Sequence, residues 1–315
     1  MAKERIVFMG TPEFAVASLR ALVDAGANVI GVITAPDRPA GRGMKLQPSA
    51  VKQFAIENGL KVLQPTNLKS EEFLNELMEL KATLQVVVAF RMLPEVVWNM
   101  PEKGTFNLHA SLLPHYRGAA PINWAIINGE KESGVTTFFL QHQIDTGNII
   151  FQEKVAIGEN ETAGELHDKL MGVGASLVVK TLEAIENGNA PSIPQSAIEG
   201  ELKEAPKIFK ETCKIDWSRP VDEVFNLIRG LSPYPAAFTT LISGNDELGL
   251  KIFMAKISGF RQEGGIGSIA VEGPSLFVKC SDGWLQICEL QMAGKKRMQV
   301  EDFLRGFDPS KYLAG

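Results

Sequence analysis

IVFMGTPEFAVASLRALVDAGANVIGVIT, residues 6–34, sets the fold. Four apolar residues (6–9) end at Gly10, a helical spacing of Phe14, Val16, Leu19, Leu22 and Val23 fills 13–25, and after Gly26 a second apolar run covers 29–34. Strand, turn, helix and strand in that order form a βαβ unit, whose crossover is right-handed and whose strands are parallel. The alternation continues with helix at 50–58, strand at 61–63, helix at 71–80, a buried strand at 85–90 and another strand at 105–108. Unbroken apolar strands such as 85–90 belong to a sheet covered on both faces, so the class is α/β with a parallel-rich sheet.

Pro121 opens a helix that Gly129 ends, and β-rich runs at 135–140 and 148–156, separated by Asp145-Thr146-Gly147, read as a hairpin. Thr162 with Glu165 three residues on forms a capping box for a long helix ending at Asn187, before Gly188. Residues 190–206 carry three prolines without periodicity and form the expected linker between a domain at 1–189 and a second at 207–315. In the second, one helix (221–230) precedes short β-rich runs at 237–241, 250–257, 267–271, 276–279 and 285–290, the pattern of a smaller OB-like β-barrel.

A length of 315 residues is consistent with two domains, and 45% hydrophobic residues with a mean hydropathy of +0.01 exclude a disordered or collagen-like chain. No apolar stretch is long enough for a membrane span, and Lys3, Glu4 and Arg5 run directly into the first strand without a signal-peptide core, so a cytoplasmic address and no membrane partner are expected. Cys213, Cys280 and Cys288 lack metal-site spacing, and no cluster of His, Cys and carboxylate suggests a metal; they are expected as buried, reduced thiols. The net charge of −5 argues against a nucleic-acid partner, yet it divides unevenly: 17 basic and 23 acidic residues in 1–202 give −6, and 15 and 14 in 203–315 give +1.

A dinucleotide fold carries G-x-G-x-x-G after its first strand, where this chain has Gly10-Thr11-Pro12-Glu13-Phe14. One glycine in place of three, and Glu13 where phosphate would sit, argue against a nicotinamide cofactor. The strongest constellation is at the end of the 105–108 strand, where open α/β sheets gather ligands: Asn107 and His109, two apart, face one cleft while Leu108 turns to the packing side. An amide beside an imidazole suits a developing oxyanion, and the apolar loop that follows, Ser111 to Gly118, with its backbone donors and acceptors, suits a flat heterocycle. Asp145 in the hairpin turn brings a carboxylate to the same cleft. Residues 37–45 (DRPAGRGMK) form a loop with three cations against one anion.

These residues resemble the methionyl-tRNA formyltransferase family of the bacterial type. The resemblance rests on NLHASLLPHYRGAAPI (107–122), the Asp145-Thr146-Gly147 turn and VFMGTPEF (7–14), and extends through APDRPAGRGMKLQP (35–48), 207–217, 228–238 and GKKRM (294–298). It implies a Rossmann-like formyltransferase domain followed by an OB-like tRNA-binding domain, with 10-formyltetrahydrofolate as donor and initiator methionyl-tRNA as partner, and no metal or nicotinamide. Carried over residue by residue, Asn107, His109 and Asp145 are catalytic, and Ser111, Leu112, Leu113 and Pro114 hold folate. Arg38, Arg42 and Lys45 contact the acceptor arm, with Lys207, Lys210, Lys295, Lys296 and Arg297 supplying phosphate contacts from the second domain. On this reading Asn107 and His109 take the oxyanion while Asp145 orients His109 and relays protons. The chain departs from the family at Ala89-Phe90-Arg91-Met92-Leu93, where Ala-Tyr-Gly is usual, and at Gln141-His142-Gln143; both touch the expected pterin wall. His115, His142 and His167 are expected outside the chemistry, and the chain as a monomer. A formyltransferase acting on a small amine such as an amino-sugar nucleotide, a nicotinamide oxidoreductase and a non-catalytic RNA-binding protein are the competing readings.

Overall fold

The structure, a computed structural model, describes residues 3–40, 45–197 and 202–315. In chain order the first elements are β1 (Ile6–Gly10), α1 (Glu13–Asp24), β2 (Val29–Ile33), β3 (Arg38–Ala40), β4 (Lys45–Gln47), α2 (Ala50–Glu57), β5 (Val62–Leu63), α3 (Glu71–Glu79), β6 (Leu84–Val88), α4 (Glu95–Trp98) and β7 (Thr105–His109). They are followed by β8 (Arg117–Gly118), α5 (Pro121–Ile127), β9 (Glu132–Phe139), β10 (Ile149–Ala156) and α6 (Ala163–Glu186). The expected strand at 85–90 stops at Val88, because Ala89 takes a positive φ of 46° and ends the extended run. The capping box is formed: Glu165 Oε2 accepts from Thr162 N at 2.8 Å and Glu165 N donates to Thr162 Oγ1 at 3.3 Å.

The main sheet has the order β10-β9-β7-β6-β1-β2-β5. β1 pairs in parallel with β2 and β6, β2 with β5 and β6 with β7, while β9 is antiparallel to β7. From β1 the chain winds outward through β2 and β5, then returns to lay β6 and β7 on the other side, the reversal that leaves a crevice at the carboxyl ends of the strands. All five residues of β1 are buried: Val7 and Met9 join Phe73 and Leu77 of α3 in one cluster, and the alternate residues Ile6 and Phe8 face the opposite side. Gly10 follows from that packing. A Cβ there would lie 2.6 Å from Ala15 Cβ and 3.0 Å from the Val88 carbonyl, so the close seat of α1 on the strand itself demands glycine.

The remaining elements are β11 (Glu204–Ala205), α7 (Val221–Leu231), β12 (Ala237–Ser243), β13 (Asp246–Ile257), β14 (Ile269–Glu272), β15 (Ser275–Lys279), β16 (Trp284–Met292), β17 (Met298–Gln299), α8 (Val300–Gly306) and β18 (Leu313–Ala314). Their sheet runs β14-β15-β16-β13-β12-β18 with antiparallel pairing along that path. A bridge between Ser268 and Leu313, with Ala314 N donating to Gly267 O at 2.9 Å, joins the two ends of that path, so the sheet curls toward closure. Val221, Val224, Phe225, Ile228 and Leu231 of α7 repeat at helical spacing and enter the same core as Ile252, Ile287 and Leu290.

The compact units interleave along the chain. One contains 1–118, 134–155 and 167–203; the other adds 119–133 and 156–166 to 204–315. Buried Arg229 shows why the short segments join the second unit: it donates to Asn226 Oδ1 (2.8 Å) and the Glu161 carbonyl (3.0 Å), while Asn123 Nδ2 donates to the Gly230 carbonyl at 2.7 Å. No helix among the described residues is long and apolar enough to cross a membrane.

All three cysteines are free thiols, and burial raises each pKa, that of Cys280 to about 12. At pH 8 only about one Cys280 in 10⁴ is then thiolate, the form that reacts. An aromatic disulfide reagent should therefore label the native protein slowly and the urea-unfolded protein quickly, releasing three equivalents per chain; three fast equivalents from native protein would show that the thiols are accessible.

Candidate active site

His109 is the last residue of β7 and is 7% exposed. Its Nε2 lies 2.8 Å from the Tyr116 carbonyl. A carbonyl only accepts, so Nε2 carries a proton and Nδ1 is the nitrogen whose protonation can change. Nδ1 faces Asp145 Oδ2 at 3.9 Å, too long for a hydrogen bond and short enough for direct electrostatic coupling, with both side chains largely buried. Asn107, half-buried, lies two residues back on the same face of β7, and no hydrogen-bond partner for its amide is found among the described residues. Leu108 points the other way, against Gly174 of α6. The structure thus brings the three expected groups to one place.

The loop after β7 is held from below. Thr136, opposite His109 in the β7–β9 register, donates from Oγ1 to the Ser111 carbonyl (2.6 Å) and accepts from Leu113 N (3.1 Å) and Gln152 Nε2 (3.0 Å). Gln152 also donates to the Leu113 carbonyl at 2.8 Å, and Ser111 Oγ to that of His115 at 2.7 Å. Ser111, Leu113 and Pro114 are buried, Leu113 packing on Phe138 and Ile149; Leu112 is half-buried. The carbonyls of Ser111, Leu112 and Leu113 and the amide of Leu113 are thus engaged within the protein, and Leu113 and Pro114 turn inward, so the loop is anchored through both backbone and side chains.

Asp145 sits in the β9–β10 connection with a positive φ of 53°, and its Oδ2 accepts from Gly118 N at 3.1 Å. Gly147 closes the turn onto the end of β9, where a Cβ would fall 1.6 Å from the Phe139 carbonyl oxygen. Gln195, 4% exposed, donates through Nε2 to the carbonyls of Asp145 and Gly147, both at 2.8 Å, and Arg117 donates to its Oε1 from Nε (3.1 Å) and Nη2 (2.6 Å). Gln195 and Thr136 carry no sequence signal of this role: the first lies in the proline-rich stretch and the second inside an ordinary strand. Among the described residues no group of three His, Cys, Asp or Glu side chains is placed to hold a metal.

His115 lies in the loop after β7, its Nδ1 buried without a hydrogen-bond partner among the described residues, while the other two histidines stand apart. His142 is exposed beside Glu95 (3.3 Å) and edge-on to Trp98, and His167 pairs with its neighbour Asp168 at 2.9 Å. In the variant stretch after β6, Phe90 is half-buried and Arg91 donates to the carbonyls of Pro65 and Thr66.

Of the candidate RNA contacts, Arg38 lies on β3, which pairs with β4 as a hairpin through Arg38–Gln47, Pro39–Leu46 and Ala40–Lys45. Arg42 falls outside the described residues. The loop's one anion, Asp37, is engaged by Gln64 (2.8 Å) and Lys52 (2.7 Å), contacts that lower its pKa, so its charge is met from outside the loop. In the second unit Lys207 lies over exposed Phe209, Lys210 caps a short 3-10 turn, and Lys295 and Lys296 are exposed. Arg297 is committed: it donates to both Glu289 oxygens (2.5 and 2.6 Å) and stacks on Phe253 at 4.4 Å.

The formyl transferase family matches residues 4–182, and its C-terminal domain matches 207–308. A methionyl-tRNA formyltransferase of Parabacteroides distasonis is 58% identical, covering 100% of both chains, and one of Flavobacterium johnsoniae is 54% identical, covering 97% of each. A solved sugar 3N-formyl transferase, determined in the presence of dTDP and 5-N-formyl-THF, is alike in fold, with a TM-score of 0.66 at 22% identity over 94% of this chain and 100% of its own.

The Gly147 contact sets a test of the site's scaffold. Gly147→Ala must displace the turn or the end of β9 and should destabilise the protein by about 3 kcal/mol or more, read as a fall in the urea midpoint; an unchanged midpoint would show that the turn yields freely.

Proposed function

The chain belongs to the formyl transferase family, among its methionyl-tRNA formyltransferases, and on that premise we propose that its Asn107, His109 and Asp145 move a formyl group from 10-formyltetrahydrofolate to the α-amine of methionine on initiator tRNA. The observation that carries this reading is the pairing of His109 and Asp145: Nδ1 is not hydrogen-bonded to the carboxylate 3.9 Å away, so a proton on it is free to point at substrate.

The amine is the smaller problem. With a pKa of about 7.7 to 8.0 for a simple α-amino group, roughly a tenth or more is neutral near pH 7. The formyl carbon is the larger one. As the amine nitrogen bonds to it, the carbonyl electrons move onto oxygen, where the Asn107 amide and His109 Nδ1–H stabilise the charge. When the tetrahedral centre collapses, its bond to the folate nitrogen breaks; the proton lost by the ammonium reaches that nitrogen by way of Asp145 and His109. The loop 111–114, anchored from below by Thr136 and Gln152, forms the wall against which the pterin lies.

Recognition of tRNA divides between the two units. Arg38, Arg42 and Lys45 address the acceptor arm from the β3–β4 hairpin, and Lys207, Lys210, Lys295 and Lys296 meet phosphates. Arg297, its charge met by Glu289, contributes its stacked plane more than its charge. A small-amine acceptor would leave both groups of cations without a partner, and the full-length likeness to relatives named for methionyl-tRNA sets that reading aside. The chain acts as a cytoplasmic monomer.

Asn107→Ala and His109→Ala should each lower turnover by about 10² to 10³ with folate affinity nearly unchanged; near-normal turnover in either folded variant removes that residue from the oxyanion. Arg42→Ala should slow formylation of methionyl-tRNA, by a factor that shrinks as salt is raised, while leaving folate titration as in the parent; an unaltered rate constant across salt would exclude it from the RNA contact.

A further inference from the structure

Residues 190–206 read in the sequence as a connection, yet they are bound into the catalytic unit at several points. Ile193 and Ile149 exchange backbone hydrogen bonds at 2.8 and 2.9 Å. Two residues on, the Gln195 amide uses all four of its bonding positions: two donated bonds to the Asp145 and Gly147 carbonyls and two accepted from Arg117. Carbonyls only accept and a guanidinium only donates, so the orientation of the amide is fixed by its partners. Further along, the Lys203 carbonyl accepts from the Tyr116 amide, and Tyr116 is the residue whose carbonyl holds His109.

We infer that Gln195 is a positioning residue for formyl transfer, setting the Asp145 carboxylate against His109. The inference rests on the reading of Asp145 as a reacting group. Asp145 is a non-glycine residue at φ +53°, a backbone state that persists only where its surroundings enforce it. Its carboxylate has one hydrogen bond among the described residues, from Gly118 N, which fixes one oxygen but not the chain that carries it. Gln195 supplies the rest by gripping the backbone on both sides of the turn. Arg117, adjacent to Gly118, closes the circuit, so that the donor to the carboxylate and the clamp on the turn move as one piece. No similar side chain substitutes. Asparagine is one methylene too short to reach both carbonyls from the same backbone, and glutamate keeps the length and the Arg117 contact but turns an acceptor toward two acceptors.

The test compares Gln195→Ala and Gln195→Glu in the full-length chain, alone and combined with Asp145→Asn, by single-turnover and steady-state formylation of methionyl-tRNA. Each Gln195 variant should lose about 10- to 100-fold in kcat, with KM for folate donor and tRNA within about threefold of the parent. In the Asp145→Asn background the same change should cost less than about threefold, because a residue acting through Asp145 has nothing left to position. A merely structural role would add its full cost in both backgrounds. Losses that multiply, a folded Gln195→Glu with parental kcat, or an effect confined to KM for tRNA would each overturn the inference. Full rate in Asp145→Asn alone would overturn the catalytic reading of Asp145 and this inference with it, a result distinguishable from the others. If Gln195→Ala does not fold, the size-conserving Gln195→Glu carries the comparison.

Discussion

The hydrogen bond from His109 Nε2 to the Tyr116 carbonyl decides how the site can work. It assigns the N–H to Nε2, because a carbonyl only accepts, and leaves Nδ1 as the nitrogen turned toward Asp145. It also fixes the loop. Tyr116 must present its carbonyl backward to the strand it has just left, and it does so with a φ of +59°, uncommon for a tyrosine. A reversal so tight buries backbone groups that need partners, and Thr136, Gln152 and Ser111 provide them. The inward turn of Leu113 and Pro114 is a consequence: with polar backbone tied from below, the side chains that can enter the core do so.

The single antiparallel strand in the first sheet has a matching purpose. A sixth parallel strand would need a crossover helix and would carry its loop away from His109. Because β9 runs against β7, Thr136 stands opposite His109, and the connection to β10 folds back over the same cleft with Asp145 at its turn. The parallel strands thus supply the donors at a carboxyl edge, and the antiparallel addition supplies the carboxylate. Neither half of the sheet contains the site by itself.

Much of this is legible in the sequence because it depends on local patterns. The βαβ opening, the capping box at Thr162, the Asn107–His109 spacing and the turn at Asp145 are each set by residues a few positions apart. What escapes is set by distant partners. The β3–β4 hairpin is hidden by a Pro/Gly composition that reads as loop. Gln195 is hidden because prolines on either side mark a linker, and only the tertiary fold shows that the linker is bonded to the catalytic turn. The short segments 119–133 and 156–166 join the second unit through Asn123 and Arg229, whose partners lie tens of residues away. Arg297, a surface cation in sequence, is in the fold ion-paired with Glu289 and stacked on the distant Phe253.

The pairing of charges also revises what net charge says about an RNA partner. An excess of five acidic groups looks repulsive to a polyanion, but repulsion at a binding surface depends on charges within about a Debye length, some 8 Å at physiological ionic strength. At the hairpin the sequence has one acidic side chain, Asp37, and it is turned to Lys52 and Gln64. The excess of acid belongs to the first 202 residues as a whole, and Glu71, Glu72, Glu76 and Glu79 alone place four of its charges on or beside one helix, α3. A chain can therefore be acidic in sum and basic in one segment, and a global negative charge then works for specificity, since it weakens adhesion of nucleic acid to the rest of the surface.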